Sequence, residues 1–218
     1  MKIVNIPASS QQFTIGKIIC LARNYAEHAR ELGNETPAAP VLFMKPASSV
    51  IGDGEAVRIP PYSKECHYEV ELAVLIGKQC RAVSTDNAME YVAGYGVAID
   101  MTLRDVQNQM KAKGLPWEIA KGFDTACPLS DFVPVGSVPD PHALNLKLAV
   151  NGEGRQDGTS SDMVHRIPQI IAHISAIFTL DPGDIILTGT PAGVGPVCAG
   201  DVMTAEIGTV GCLTIPVT

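Results

Sequence analysis

Between Cys66 and Gly77 the chain reads Cys66-His67-Tyr68-Glu69-Val70-Glu71-Leu72-Ala73-Val74-Leu75-Ile76-Gly77, and this stretch restricts the fold more than any other. Its second half is apolar at every position, which predicts a β-strand buried on both faces and ending at Gly77-Lys78. Two acids intrude near its start. Glu69 and Glu71 are two residues apart, so on one strand they point to the same face with Cα atoms roughly 6–7 Å apart. Ionised carboxylates beside a buried run are costly to desolvate unless a cation meets them. A divalent metal with oxygen ligands is the least costly candidate. An edge strand with both acids in water fits the same pattern, so the pair alone does not decide.

A third carboxylate favours a site. Tyr95-Gly96-Val97-Ala98-Ile99 also reads as a buried strand, and it ends in Asp100. A helical pattern follows from Met101 to Lys111, for which Asp100 is a natural N-cap. At ~100° per residue, Asp100, Arg104, Gln107 and Lys111 fall on one face of such a helix. An acid, a guanidinium and an amide then line up leading away from a strand end.

The 218 residues suffice for one domain with a sizeable core, and 46% apolar against 18% charged residues excludes a disordered chain. The net charge of −7 argues against a nucleic-acid partner. Asn5 and Pro7 interrupt the apolar start, so no secretory signal is expected, and no run approaches the ~20 residues of a membrane span. The six cysteines form no C-x-x-C pair and suit free thiols in a cytoplasmic protein.

Residues 1–15 read as a leader strand and a polar loop ahead of a single domain spanning residues 16–218. Lys17 to Ala22 forms a buried strand. A helix is expected next, capped by Asn24 with Glu27 closing a capping box, and stopped at Gly33. His28 and Glu31 share a face of it, the arrangement of a general base and its orienting partner, although an ordinary polar face reads the same way. Lys45-Pro46 ends another strand, and Asp86 is placed to cap a short helix over residues 87–92. Lys121 follows the only tryptophan in a stretch without periodicity. Leu144 to Val150 alternates as a half-buried strand and runs into Asn151-Gly152, a hairpin turn signal. Met163, Ile167, Ile170, Ile171, Ile174 and Ile177 recur at helical spacing, with Pro168 in the first turn. The loop Gly189-Thr190-Pro191-Ala192-Gly193-Val194-Gly195 lacks the Lys-Ser/Thr of a P-loop, which rejects a nucleotide site, yet its amides and the Thr190 hydroxyl can meet a carboxylate. Many short strands with a few short helices predict an α+β, mostly β domain with a rolled or sandwiched sheet.

Taken in order, Arg23-Asn24-Tyr25 with His28 and Glu31, Leu42-Phe43-Met44-Lys45-Pro46, Glu69-Val70-Glu71-Leu72, Asp100 to Gln107, Lys121, Asn151-Gly152-Glu153, and Pro182-Gly183-Asp184 with Thr188-Gly189-Thr190-Pro191 resemble the fumarylacetoacetate hydrolase family, in particular its small single-domain acylpyruvases and oxaloacetate decarboxylases. The chain departs from the family at Ala22, where glycine is frequent; an added methyl there narrows or reshapes a pocket. The resemblance implies that Glu69, Glu71 and Asp100 bind Mg²⁺ or Mn²⁺. It implies that His28 and Glu31 sit on a mobile lid and activate water, that Lys121 and Gln107 stabilise the reacting oxygen, and that Arg23, Arg104 and Thr190 contact substrate. The expected activity is metal-dependent C–C hydrolysis of acylpyruvates (2,4-dioxo acids) to pyruvate and a carboxylic acid. Oxaloacetate decarboxylation, oxaloacetate keto–enol tautomerisation and a hydroxymuconate-type isomerase or decarboxylase of aromatic catabolism are the alternatives within the family, and a non-catalytic keto-acid binder is the alternative outside it. A homodimer acting on a small 2-oxo acid is implied by the family alone.

Overall fold

The computed structural model describes residues 2–31, 33 and 35–218. Its centre is a six-stranded sheet in the order Val133–Pro134, Val92–Ile99, Val70–Ile76, Ile185–Leu187, Ile18–Ala22, Val41–Lys45. All neighbours are antiparallel except Ile185–Leu187 and Ile18–Ala22, which run parallel. The expected α+β, mostly β architecture is present.

Alternation along the central strands sorts their side chains into two cores. Leu72, Val74, Ile76, Val97, Ile99 and Ile186 face the larger one. It is closed by a four-stranded antiparallel sheet (Glu153–Thr159, Asn145–Val150, Val202–Ile207, Gly211–Pro216) and by helix α4, Ile167–Ile177. The apolar stripe Ile167, Ile170, Ile171 and Ile174 of α4 is buried there, as its spacing predicts. Asn151 and Gly152 turn the hairpin with φ of 53° and 81°, the positive pair that a two-residue primed turn demands. Ala73, Leu75, Ala98, Ile185 and Leu187 face the smaller core, together with Val4, Ile6 and Ile15.

Several local expectations are corrected. The polar loop expected near the N-terminus contains a strand, Gln11–Thr14, which pairs with Ile3–Ile6. Cys66 to Gly77 is not one strand: Cys66–Tyr68 joins a three-stranded sheet with Gly195–Val197 and Thr102–Leu103, and the central strand begins at Val70. The chain bends at Glu69, where the Gln156 side chain accepts the Val70 amide at 2.9 Å and secures a backbone donor in the bend. Asn24 does not cap helix α1, Ala26–Glu31. Its amide instead donates to the carbonyls of His165 (3.0 Å) and Thr188 (2.8 Å) and accepts from the His165 amide (2.8 Å). Asp100 is likewise no cap, because Thr102–Leu103 intervenes before helix α2, Arg104–Lys113. Asp86 lies inside a 3₁₀ turn, Thr85–Tyr91, with Ser84 at its N-cap, and Met163 precedes α4. Among the described residues no helix is long and apolar enough to cross a membrane.

Candidate metal centre and cleft

Glu69 sits at the bend, Glu71 is the second residue of the central strand that follows, and Asp100 follows the strand that pairs with it. The Asp100 amide donates to the Glu69 carbonyl at 2.8 Å, which ties the two strand ends together. One carboxylate oxygen from each of the three acids lies within 4.8 Å of the others, and all three residues are buried. Three cations surround them. Lys121, on the four-residue helix α3 (Glu118–Lys121), donates to Glu69 Oε2 at 2.9 Å and Asp100 Oδ2 at 2.6 Å. The Lys45 ammonium is 2.7 Å from Asp100 Oδ1 and also meets the carbonyls of Met101, Ala126 and Lys121. Arg104 grips Glu69 through Nη2 and donates to Gln107 Oε1 through Nη1 at 2.7 Å.

Glu71 is the exception. It accepts the Gly189 amide at 2.6 Å but is in ion-pair contact with no lysine, arginine or histidine among the described residues. Burial, with Asp100 and Glu69 adding repulsion, pushes its carboxyl well above the ordinary range. Burial acts on Glu69 too, but Lys121, Arg104 and His28 outweigh it and hold that carboxyl low. Burial disfavours the Lys121 charge, and Asp100 and Glu69 more than restore it. A hard divalent cation fits these donors: three convergent carboxylate oxygens, no thiolate or imidazole in the set, and one acid whose charge lacks a partner. The neighbouring thiols do not compete for such an ion. Burial pushes Cys66 and Cys127 up to about 12, and Cys20 also rises well above its ordinary value.

The opposite side of the cleft carries His28. It is buried, lines the cleft, and places Nδ1 3.5 Å from Glu31 Oε2. The Gly193 amide donates to the Glu31 carboxylate at 3.2 Å, which links α1 to the Gly-rich loop. Burial, aided by Arg104 and Lys121, lowers the His28 pKa against the pull of Glu69 and Glu31, so the ring is neutral at neutral pH. Ala22, Arg23, Gln107, Lys111 and Thr190 also line the cleft, beside Phe43 and Trp117. The ten residues singled out as catalytic, substrate-binding or metal-binding therefore lie around one cleft, with Asp100 just behind its lining and Glu31 behind His28.

Two further residues complete the arrangement. Lys45 neutralises Asp100 from beneath; in sequence it shows only as a polar residue at a strand end. Gln156 takes the Val70 amide on Oε1, so its Nε2 donates to Thr190 Oγ1 (2.8 Å) and the Pro191 carbonyl (2.9 Å). The Thr190 hydroxyl, already an acceptor, keeps its proton for the cleft. Nothing local marks Gln156, whose strand neighbours Arg155 and Asp157 are exposed.

Residues 17–218 match the fumarylacetoacetate hydrolase C-terminal family model. The chain is 54% identical over 190 residues to a mitochondrial oxaloacetate tautomerase of Bos taurus, covering 87% of this chain and 86% of the relative. It is 48% identical over 193 residues to an oxaloacetate tautomerase of Escherichia coli, covering 88% of each. A fumarylpyruvate hydrolase of Pseudomonas aeruginosa, crystallised with Mn²⁺ and pyruvate, superposes with a TM-score of 0.95 at 36% identity, covering 100% of this chain and 95% of that one.

Proposed function

The chain belongs to the fumarylacetoacetate hydrolase family, and from that premise we propose that it is a Mg²⁺- or Mn²⁺-dependent enzyme interconverting the keto and enol forms of oxaloacetate. The observation that carries this reading is the set of three convergent carboxylates beneath a cleft that also holds a neutral histidine and a buried lysine. When bound, the cation acts as a Lewis acid, drawing negative charge from the keto oxygen of a 2-oxo acid. Lys121 adds a fixed positive field at the same oxygen, and Gln107, whose carbonyl is committed to Arg104, offers its amide protons there. Neutral His28, held in place by Glu31, takes a proton from the carbon next to the keto group, and a proton is delivered to the keto oxygen as the C=C bond of the enol forms; the reverse step restores the keto form. Thr190 donates to the carboxylate beside the keto group.

The same residues support a second reading, C–C hydrolysis of acylpyruvates, which the His28–Glu31 pair favours. Here His28 draws a proton from water as it attacks the distal carbonyl, the C–C bond breaks, and pyruvate departs in its enolate form. Tautomerisation ranks first because the tautomerase relatives are more identical in sequence than the hydrolase is. The test is to strip the protein with chelator, restore Mg²⁺ or Mn²⁺, and follow oxaloacetate enol absorbance and acetylpyruvate loss in parallel. Metal-restored enol interconversion without acetylpyruvate loss is the expected result; acetylpyruvate cleavage at comparable kcat/KM puts hydrolysis first, and neither activity sinks both readings. We assign a homodimer, checked by light scattering, and a cytoplasmic location, to which six free thiols are suited.

A further inference from the structure

We propose that Arg23 and Lys111 form a second anion subsite at the mouth of the cleft, which receives the far carboxylate of a short 2-oxo dicarboxylate. The inference rests on the reading above, in that the near carboxylate and keto group lie over Glu69, Glu71 and Asp100. It starts from a charge inventory of the cleft. Four cationic side chains line it: Arg23, Arg104, Lys111 and Lys121. Arg104 and Lys121 are committed to the acids below. Arg23 and Lys111 make no ion pair and no side-chain hydrogen bond among the described residues, whereas exposed Arg30 and Arg155 both find glutamates.

Their placement is directional. Arg104, Gln107 and Lys111 recur at i, i+3 and i+7 on α2, and so climb one helix face by about 10 Å. Arg104 and Gln107 are buried and Lys111 is exposed, so this row leads from the carboxylates out to solvent. Arg23 closes the other side from the end of strand Ile18–Ala22. Its backbone has φ of 60°, a left-handed conformation that strains a non-glycine residue. The neighbouring Asn24, with its three hydrogen bonds, holds the chain in that turn. Partial desolvation at the cleft wall together with the Arg23 and Arg104 charges presses the Lys111 ammonium below the ordinary lysine range, so Lys111 lies within the field of both guanidiniums. Like charges held together without an acid are relieved by an incoming anion. A substrate with a neutral tail leaves them unmet. Among 2-oxo acids and acylpyruvates alike, the subsite selects those that end in a carboxylate.

Oxaloacetate and 2-oxobutyrate test this, since they differ in a terminal carboxylate against a methyl. Their Kd values are measured by calorimetry on Mg²⁺-supplied protein. Wild type is expected to bind oxaloacetate at least ~10-fold more tightly, the scale of one hydrogen bond to a charged group. Lys111→Met and Arg23→Met each bring the ratio towards one by weakening oxaloacetate alone, and Lys111→Arg preserves it. A wild-type ratio near one, a ratio unmoved in both methionine variants, or equal weakening of both ligands overturns the subsite. Preferential binding of oxaloacetate without its tautomerisation upholds the subsite and fails the functional reading. Tautomerisation without preferential binding does the reverse.

Discussion

The carboxylates at the base of the cleft come from strand ends sunk in the core, whereas His28 and Glu31 come from a six-residue helix at the surface. At the base, nearly every charge answers another: Lys45 and Lys121 meet Asp100, and Lys121 and Arg104 meet Glu69. On the helix, His28 is in ion-pair distance of Glu31 alone, at 3.5 Å, and Glu31 accepts from the Gly193 amide, among the described residues. A helix so short gains little from its own hydrogen bonds and depends on its anchors. The contrast divides the labour. The base is an ion cradle set by its own charge pairs, and the helix brings the His28–Glu31 pair to it from the surface.

The largest expected effect falls on the cradle. Glu71→Ala should weaken Mn²⁺ binding, read by electron paramagnetic resonance, by more than the ~100-fold lost on removing an outer partner of a ligand, and abolish turnover. Next, Lys45→Met leaves Asp100 short of one cation in a buried site. Urea titration should show a loss of about 3 kcal/mol, the lower end for breaking a buried pair because Lys121 remains. A loss under ~1 kcal/mol would remove Lys45 from the cradle. His28→Ala should then break the symmetry between the two regions: kcat falls ~100-fold, the low end for a general base, while Mn²⁺ affinity stays at the wild-type value. Equal losses in affinity and rate would contradict the division.

The mildest effect is on pH. Burial lowers the His28 pKa from 6.5, so the folded protein binds fewer protons here than the unfolded chain. Its contribution to stability is complete above pH 6.5 and is lost as pH falls through the lower folded value. The neutral base likewise persists below 6.5, so the acidic limb of kcat should lie below that value in wild type and vanish in His28→Ala. A limb at or above 6.5 would assign it to another group.

Much of the base was legible in the sequence because acids in apolar runs are costly, and Glu69, Glu71 and Asp100 stand out for that reason alone. Their convergence was not, since a single strand and a helix cap were expected where the chain instead bends at Glu69 and inserts a short strand before α2. Lys45 was invisible as a partner because it meets Asp100 from a strand 55 positions earlier in numbering, through a pairing no local pattern records. Asn24 carried a local signal that misled: its capping chemistry is real but is directed at His165 and Thr188, far along the chain. On the helix, the i, i+3 spacing of His28 and Glu31 was local and therefore readable. His28's burial was not, because the residues that line the cleft with it come from distant parts of the chain.

The parallel pairing of Ile18–Ala22 with Ile185–Leu187 joins segments at opposite ends of the chain. Glu71 is held by Gly189, and Thr190 and the contact of Gly193 with Glu31 come from the same late loop. Such a topology closes long loops before its contacts repay the lost entropy, and chains of this kind fold slowly. The cleft is therefore assembled from parts far apart in the chain. On the ribosome the three acids and their cations Lys45, Arg104 and Lys121 are all made before the strand at 185–187, whereas Gly189, Thr190 and Gly193 follow it. A segment made late in synthesis thus completes a cleft begun by the earlier ones.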